Sequence, residues 1–177
     1  LDYGRVESQQ ARFRTLAGVG DLTGLHVLDV GCGFAHLADF LEARFAGVRY
    51  TGIDLTPSVL AVARERRPDL DLRHADLMQL PADEAYDVVF ANGIFYLLGA
   101  EAPERMRAMI ARLYGLTRRA VAFCSLSTWA PIQPEGEYHA DPVEVLAYCR
   151  TLTPWVTLRH AHLPHDFTMY LYREQQP

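Results

Sequence analysis

The sequence predicts an α/β domain, a doubly wound and mainly parallel sheet with helices on both faces. Three observations predict it. Strand-like and helix-like segments alternate along residues 6–126, as they must where each parallel strand returns to its neighbour through a crossover helix. The stretch HVLDVGCGFAHLADFL, residues 26–41, runs from a short apolar strand through Gly31 and Gly33 directly into an amphipathic helix. The chain closes on two extended segments, 155–163 and 167–173, separated by Pro164, His165 and Asp166, which read as a hairpin.

Periodicity and end signals place each element. Residues 6–17 read as the first helix and 26–30 as the first strand, and the helix over 35–46 carries Leu37, Phe40, Leu41 and Phe45 on one stripe. The second strand, 49–54, leads into a helix with Thr56 as its N-cap and Pro57 at its first position. A third strand falls at about 70–74 and a fourth at 86–91; the helix over 103–115 repeats Met106, Met109, Ile110 and Leu113 at helical spacing. The fifth strand is 119–126. Loop 127–141, which contains Pro and Gly, is longer than an ordinary connection and is therefore a candidate functional element. Asp141, Pro142 and Glu144 then open a short helix in the manner of a capping box.

At 177 residues, half of them hydrophobic, the chain suits one domain spanning 1–177 with a sizeable core. It begins at Leu1 rather than Met, so a short N-terminal segment of the natural chain is expected ahead of it. Seventeen basic against 22 acidic residues leave a net charge of −5, which argues against a nucleic-acid or anionic-membrane surface and for a small-molecule partner. Cys32, Cys124 and Cys149 are far apart and form no CxxC pair, so neither a disulfide framework nor a zinc site is expected and a reducing cytoplasm is. No apolar run approaches the roughly 20 residues needed to cross a bilayer, and no charged-then-apolar leader opens the chain.

A strand that ends in Asp29-x-Gly31-x-Gly33 brings bare main chain close to whatever lies at its carboxyl end, because glycine has no side chain to hold a ligand off. A dinucleotide turn calls for G-x-G-x-x-G, and His36 stands where its third glycine would be. The stretch instead resembles motif I of the class I S-adenosylmethionine-dependent methyltransferases of small-molecule type, with Ala35 where a third glycine often stands. Three further segments carry the resemblance in order. YTGIDLT, 50–56, ends in Asp54, 23 positions after Gly31; HADLMQLP, 74–81, contains Asp76 and Leu77; YDVVFANGIFYLL, 86–98, places Asn92 at the tip of the fourth strand.

The resemblance implies a seven-stranded Rossmann-like sheet whose last strand is antiparallel and inserted beside strand five. It implies S-adenosylmethionine as cofactor, its methionine part cradled by Asp29, Gly31, Cys32 and Gly33, with Cys32 contributing backbone rather than thiol. Asp54 with Leu55 would meet the ribose, Asp76 and the Leu77 amide the adenine, and Asn92 with Gly93 the region of the transferable methyl. Arg12 on the first helix would reach back to the cofactor carboxylate. Phe95 and Tyr96 stand where such enzymes often carry substrate-facing aromatics.

The implied reaction is O- or N-methylation of a small acceptor. Asn92-Gly93-Ile94-Phe95 lacks both prolines of the nucleic-acid amino-methyltransferase tetrad that it superficially resembles. Trp129, Tyr138 and His139 belong to the loop after strand five, near the sheet edge where ligands bind; the first two are candidate substrate contacts and His139 the candidate catalytic base. His160 and His162 read as a solvated strand face rather than a metal site. The alternative function is a nucleotide-binding module without methyl transfer, an NAD-dependent oxidoreductase or a non-catalytic scaffold partner.

Overall fold

Apolar runs such as VVFA in 88–91 and VAFC in 121–124 are too evenly hydrophobic for a strand wet on one face, and they form the buried centre of the sheet. In the computed structural model, which describes residues 6–176, the strands are β1 (His26–Val30), β2 (Arg49–Asp54), β3 (Asp71–His74), β4 (Tyr86–Asn92), β5 (Thr117–Leu126), β6 (Val156–Leu163) and β7 (Asp166–Tyr172). Their order across the sheet is β3-β2-β1-β4-β5-β7-β6. The first five run parallel, while β7 is antiparallel to both β5 and β6. The expected seven-stranded doubly wound sheet, closed by an antiparallel last strand beside strand five, is the one observed.

Helices α1 (Val6–Ala17), α2 (His36–Glu42) and α3 (Pro57–Arg66) bury Phe13, Leu16, Phe40, Leu41 and Leu60 in a core with Val27 and Phe90 of one sheet face. Helices α4 (Ala102–Gly115) and α5 (Pro142–Leu152) bury Met106, Ile110, Leu113 and Val145 with Leu28, Val89, Phe123 and Phe167 of the other. Among the described residues no helix is long and apolar enough to cross a membrane.

Several element ends differ from expectation, and the departures around the helices have identifiable causes. Helix α2 begins at His36, one residue late, because Ala35 sits in the left-handed region at φ 58°; it stops at Glu42 instead of 46, where the chain turns through Gly47 (φ 69°) toward β2. Thr56 takes the N-cap position of α3 without a side-chain cap bond. Its backbone amide donates to Asp54 Oδ1 instead, at 2.8 Å. Helix α5 runs to 11 residues, opened by Asp141, whose carboxylate accepts from Val143 and Glu144 amides.

One buried ion pair fastens α1 to the hairpin. Arg12 donates through Nε to Asp166 Oδ2, both side chains 1% exposed, and a second guanidinium nitrogen lies 3.4 Å from His165 Nε2. Arg12→Leu would leave the Asp166 carboxylate buried without this cation and is expected to cost about 3–5 kcal/mol of stability in urea unfolding. The double variant Arg12→Leu/Asp166→Leu should regain most of that loss, and a single variant as stable as the parent would show that α1 is held by other contacts.

Candidate functional site

The glycine turn after β1 is built from backbone before any side chain enters. Ile53 O, at the end of β2, accepts from both Gly31 N (2.8 Å) and Cys32 N (3.0 Å). Gly31 has φ 73° and a methyl group placed on it would collide with Ile94, so neither its backbone nor its neighbour tolerates a side chain. Gly33 has φ 54°, and nothing lies within 4 Å of where its side chain would be. A Cβ there would occupy the open space above the turn. That is the cradle a ligand meeting main chain requires.

Asp54 locks this turn to the next strand. Its Oδ2 accepts from Gly33 N at 2.9 Å and its Oδ1 from Thr56 N at 2.8 Å. Beside the turn, at the carboxyl ends of β1, β2 and β4, opens a cleft of about 700 Å³ that brings together Gly31, Asp54, Leu55, Asp76, Leu77, Gly93 and Tyr96. Asp76 caps a single 3-10 turn, Leu77–Gln79, by accepting from Met78 N at 2.9 Å. Leu55 and Met78 stand exposed on one flank. Asn92 ends β4 opposite Cys124, its Oδ1 buried and without a hydrogen-bond partner among the described residues. The acids, bare backbone and orphaned amide fit a cofactor with sugar hydroxyls and a zwitterionic tail.

Asp29 lies under the turn rather than in the cleft. It is buried and accepts from Tyr50 Oη at 2.6 Å. Burial pushes its carboxyl up to about 7, opposed by the Tyr50 hydrogen bond and reinforced by the charge of Asp54. Cys32 is also buried, and burial raises its thiol well above the usual range. Its side chain fills the space over Gly52, where a Cβ would come within 2.9 Å of Cys32 Cβ and Sγ. Gly52 therefore belongs to the architecture of the turn, and a glycine inside a strand was the signal for it.

The acceptor-side residues distribute unevenly. Tyr96 lines the cleft, but Phe95, at 1% exposure, packs edge-to-face on Phe123 with centroids 5.4 Å apart; its apolar ring belongs to the core under α4. Arg12 is engaged by Asp166 at the start of β7, across β1, β4 and β5 from the strand ends that carry Asp54 and Asp76, and does not line the cleft. Trp129 is half exposed and stacks on His160 at 4.9 Å. Tyr138 packs against the α4–α5 core, and its amide donates to Tyr96 O at 2.8 Å. Ala140 N donates to Leu126 O at 3.0 Å, so residues 138–140 bridge the ends of β4 and β5. His139 is the residue between these two anchors, nearly buried, with Nδ1 3.3 Å from Glu137 O and Nε2 unbonded among the described residues.

The histidines of β6 do not form a solvated face. His160 and His162 are half buried; His160 Nε2 meets Ser127 Oγ at 2.8 Å, and neither ring nitrogen of His162 has a partner among the described residues. Alternation holds along the strand, and both rings lie on its half-buried side with Val156 and Leu158, which pack against the α4–α5 core, while Arg159 and Ala161 are exposed. Among the described residues no three His, Cys, Asp or Glu side chains converge as a metal site.

Residues 27–117 match the family described as "Methyltransferase domain". Over 151 residues the chain is 31% identical to a Mycobacterium tuberculosis (strain ATCC 25618 / H37Rv) protein whose name places it among the methyltransferases, covering 80% of this chain and 89% of that protein. Over 116 residues it is 34% identical to trans-aconitate 2-methyltransferase of Paracidovorax citrulli (strain AAC00-1), covering 63% of this chain but 43% of that protein, so the match spans less than half of that relative. The fold superposes with a TM-score of 0.73 on magnesium protoporphyrin IX methyltransferase from Synechocystis PCC 6803 solved with SAM bound, at 20% identity over 96% of this chain and 81% of that one.

Asp29 makes stability depend on pH in a stated direction. Its folded-state pKa lies above its unfolded value, so its contribution is fully present below about 4 and is lost as pH rises toward about 7. Urea unfolding of the parent and of Asp29→Asn should therefore diverge between pH 4 and 7, the parent weakening relative to the variant; parallel curves would mean that Asp29 titrates normally.

Proposed function

The chain belongs to the methyltransferase-domain family, and from that premise we propose that it is an S-adenosylmethionine-dependent methyltransferase that methylates an oxygen or nitrogen of a small-molecule acceptor. The observation that carries the site assignment is the cradle itself, a glycine turn pinned by Ile53 O and Asp54 with open space over Gly33, next to a cleft holding Asp54 and Asp76. When bound, S-adenosylmethionine supplies a sulfonium methyl group as electrophile.

The protein's residues divide the remaining work. Main chain at Gly31, Cys32 and Gly33 approaches the methionine part. A carboxylate has about four lone-pair sites, so Asp54 retains acceptor capacity for ribose hydroxyls after taking two backbone amides. Asp76 and the Leu77 amide face the adenine, and Leu55 lends apolar surface at the cleft's flank. Asn92 and Gly93 stand at the β4 tip by the methyl. Tyr96 and the loop Ser127–Asp141, with Trp129 and Tyr138, would enclose the acceptor, exclude water and orient its nucleophile. Three buried, unbridged thiols suit a reducing cytoplasm. Membership of a methyltransferase family supports methyl transfer over the hydride-transfer and scaffold alternatives.

His139 is the proposed base. A carbonyl oxygen only accepts, so the contact with Glu137 O assigns the proton to Nδ1 and leaves the lone pair on Nε2. An unpartnered lone pair on the loop segment whose neighbouring amides bond Tyr96 O and Leu126 O is suited to take a proton from an acceptor hydroxyl or ammonium.

Two measurements test this reading. S-adenosylhomocysteine should bind and raise the melting temperature, and Asp54→Ala should weaken that binding by about 1–3 kcal/mol in calorimetry; a folded variant with undiminished affinity would move the ribose contact elsewhere. His139→Ala should slow methylation on the order of 100-fold while cofactor affinity holds. A variant that instead raises the acceptor's KM at constant kcat would make His139 a positioning residue, and one that methylates at the parental rate would remove it from the chemistry.

A further inference from the structure

Resting on the methyltransferase reading above, we infer that Arg105 of α4 binds the cofactor: its guanidinium donates a hydrogen bond to a ring nitrogen of the adenine of S-adenosylmethionine, a contact outside the four sequence segments that carry the resemblance.

The placement comes from the helix. Arg105, Ala108, Met109 and Arg112 stand at i, i+3, i+4 and i+7 of α4 and so share one stripe. Arg112 fixes where that stripe faces, since its guanidinium donates to Leu77 O at 3.3 Å and to Pro81 O at 3.1 Å, on the segment that starts with the 3-10 turn capped by Asp76. Arg105, Ala108 and Met109 line the open cleft of about 700 Å³ together with Asp76, Leu77 and Gly93. Arg105 Nη1 donates to Leu98 O at 3.0 Å, and Leu98 lines the same cleft, so this bond holds the guanidinium at the cleft wall.

Two observations say what this wall meets. Leu55, Met78 and Leu97, from three separate connections, line that cleft while 66%, 50% and 67% exposed. Large apolar side chains left open around one cleft gain most from a flat apolar ring that covers them. Among the described residues lining the cleft, Arg105 is the one Lys or Arg. A guanidinium has five N–H donors, and Leu98 O takes one of them.

Adenine matches that supply. Its amino group donates, and its unsubstituted ring nitrogens only accept. The Asp76 carboxylate can take the amino hydrogens but can offer the ring nothing. The Leu77 amide can serve one ring nitrogen and no more. A second ring nitrogen needs a donor from elsewhere, and the Arg105 guanidinium, on the stripe of α4 that packs along the same 3-10 turn, is the charged donor of this cleft. A hydrogen bond from a charged donor is the stronger kind, so this contact contributes to affinity as well as to the orientation of the ring.

The test is calorimetry of the intact chain with S-adenosylhomocysteine and with its 1-deaza, 3-deaza and 7-deaza forms, in each of which a C–H replaces one ring nitrogen. Arg105→Met should weaken S-adenosylhomocysteine on the order of tenfold. With one of the deaza ligands, parent and variant should bind alike, because the nitrogen that Arg105 serves is already gone. The melting temperature of the unliganded variant should stay near the parental value, since Arg105 is exposed. A residue that only braces Leu98 O would instead weaken all four ligands by the same factor. Unchanged S-adenosylhomocysteine affinity in folded Arg105→Met, or an equal loss with all four ligands, would each overturn the proposal. Failure of the parent to bind S-adenosylhomocysteine would strike the methyltransferase reading itself, whereas binding that is indifferent to Arg105 strikes only this contact.

Discussion

One backbone carbonyl organises the cofactor half of this molecule. Ile53 O accepts two successive amides, Gly31 and Cys32, which is possible only if the chain leaves β1 in a left-handed conformation and curls back over the end of β2. Gly31, Gly33 and Ala35 all have positive φ, alternating with residues that do not. For Ala35 that conformation costs roughly 1–2 kcal/mol, and its complete burial beneath α2 supplies the compensating packing. The start of α2, the open space over Gly33 and the inward placement of Cys32 all follow from this curl.

The curl also explains an acid that has no ligand to meet. Asp29 precedes the turn by two residues and alternation of the strand sends its side chain inward, where Tyr50 Oη is its partner. Its influence on the site is therefore through the turn's stability and its proximity to Asp54, not through contact with the cleft. Asp54, by contrast, is at a strand end, free to reach across to Gly33 N and back to Thr56 N. Two carboxylates that look alike in the sequence have different work because one is inside the strand and one terminates it.

Elements whose residues declare their own period were readable in advance: the bounds of β1 and β2, the buried stripe Met106, Ile110 and Leu113, and the terminal hairpin all follow from local pattern. Local pattern also points to Gly31, Asp54, Asp76, Leu77 and Gly93, which the fold gathers in one cleft. What resisted reading depends on pairing between distant segments. Phe95 and Tyr96 are adjacent aromatics after β4, and nothing local says which turns inward; the answer is Phe123 on β5, which receives Phe95 edge-to-face. That His160 and His162 share one side of β6 is legible from alternation, but that this side is the half-buried one is not, since it depends on distant partners such as Ser127, which His160 meets from 33 residues away. Gly52 was passed over because its meaning appears only when Cys32 is seen above it.

This contrast has a physical basis in how the two halves of the sheet are made. Along β1, β2 and β4, parallel strands present their carboxyl ends together, so ligand groups come from short segments immediately after each strand and can be counted off by spacing. Beyond β5 the direction reverses: β7 brings its amino end, with Asp166, to the same edge where β5 brings its carboxyl end. On the proposed reading the acceptor side is thus assembled from a strand start, a hairpin turn and a loop that crosses back toward β4 through Tyr138 N and Tyr96 O. That wall is tied to the parallel strands by the whole β5–β7 ladder, by Phe167, Met169 and Leu171 in the shared core, and by Arg12 to Asp166, so its loop and hairpin side chains can vary around a fixed strand frame. The cofactor cradle is thus made of short turns after parallel strands and the neighbouring wall of loop and hairpin, so the two can vary through different residues of one frame.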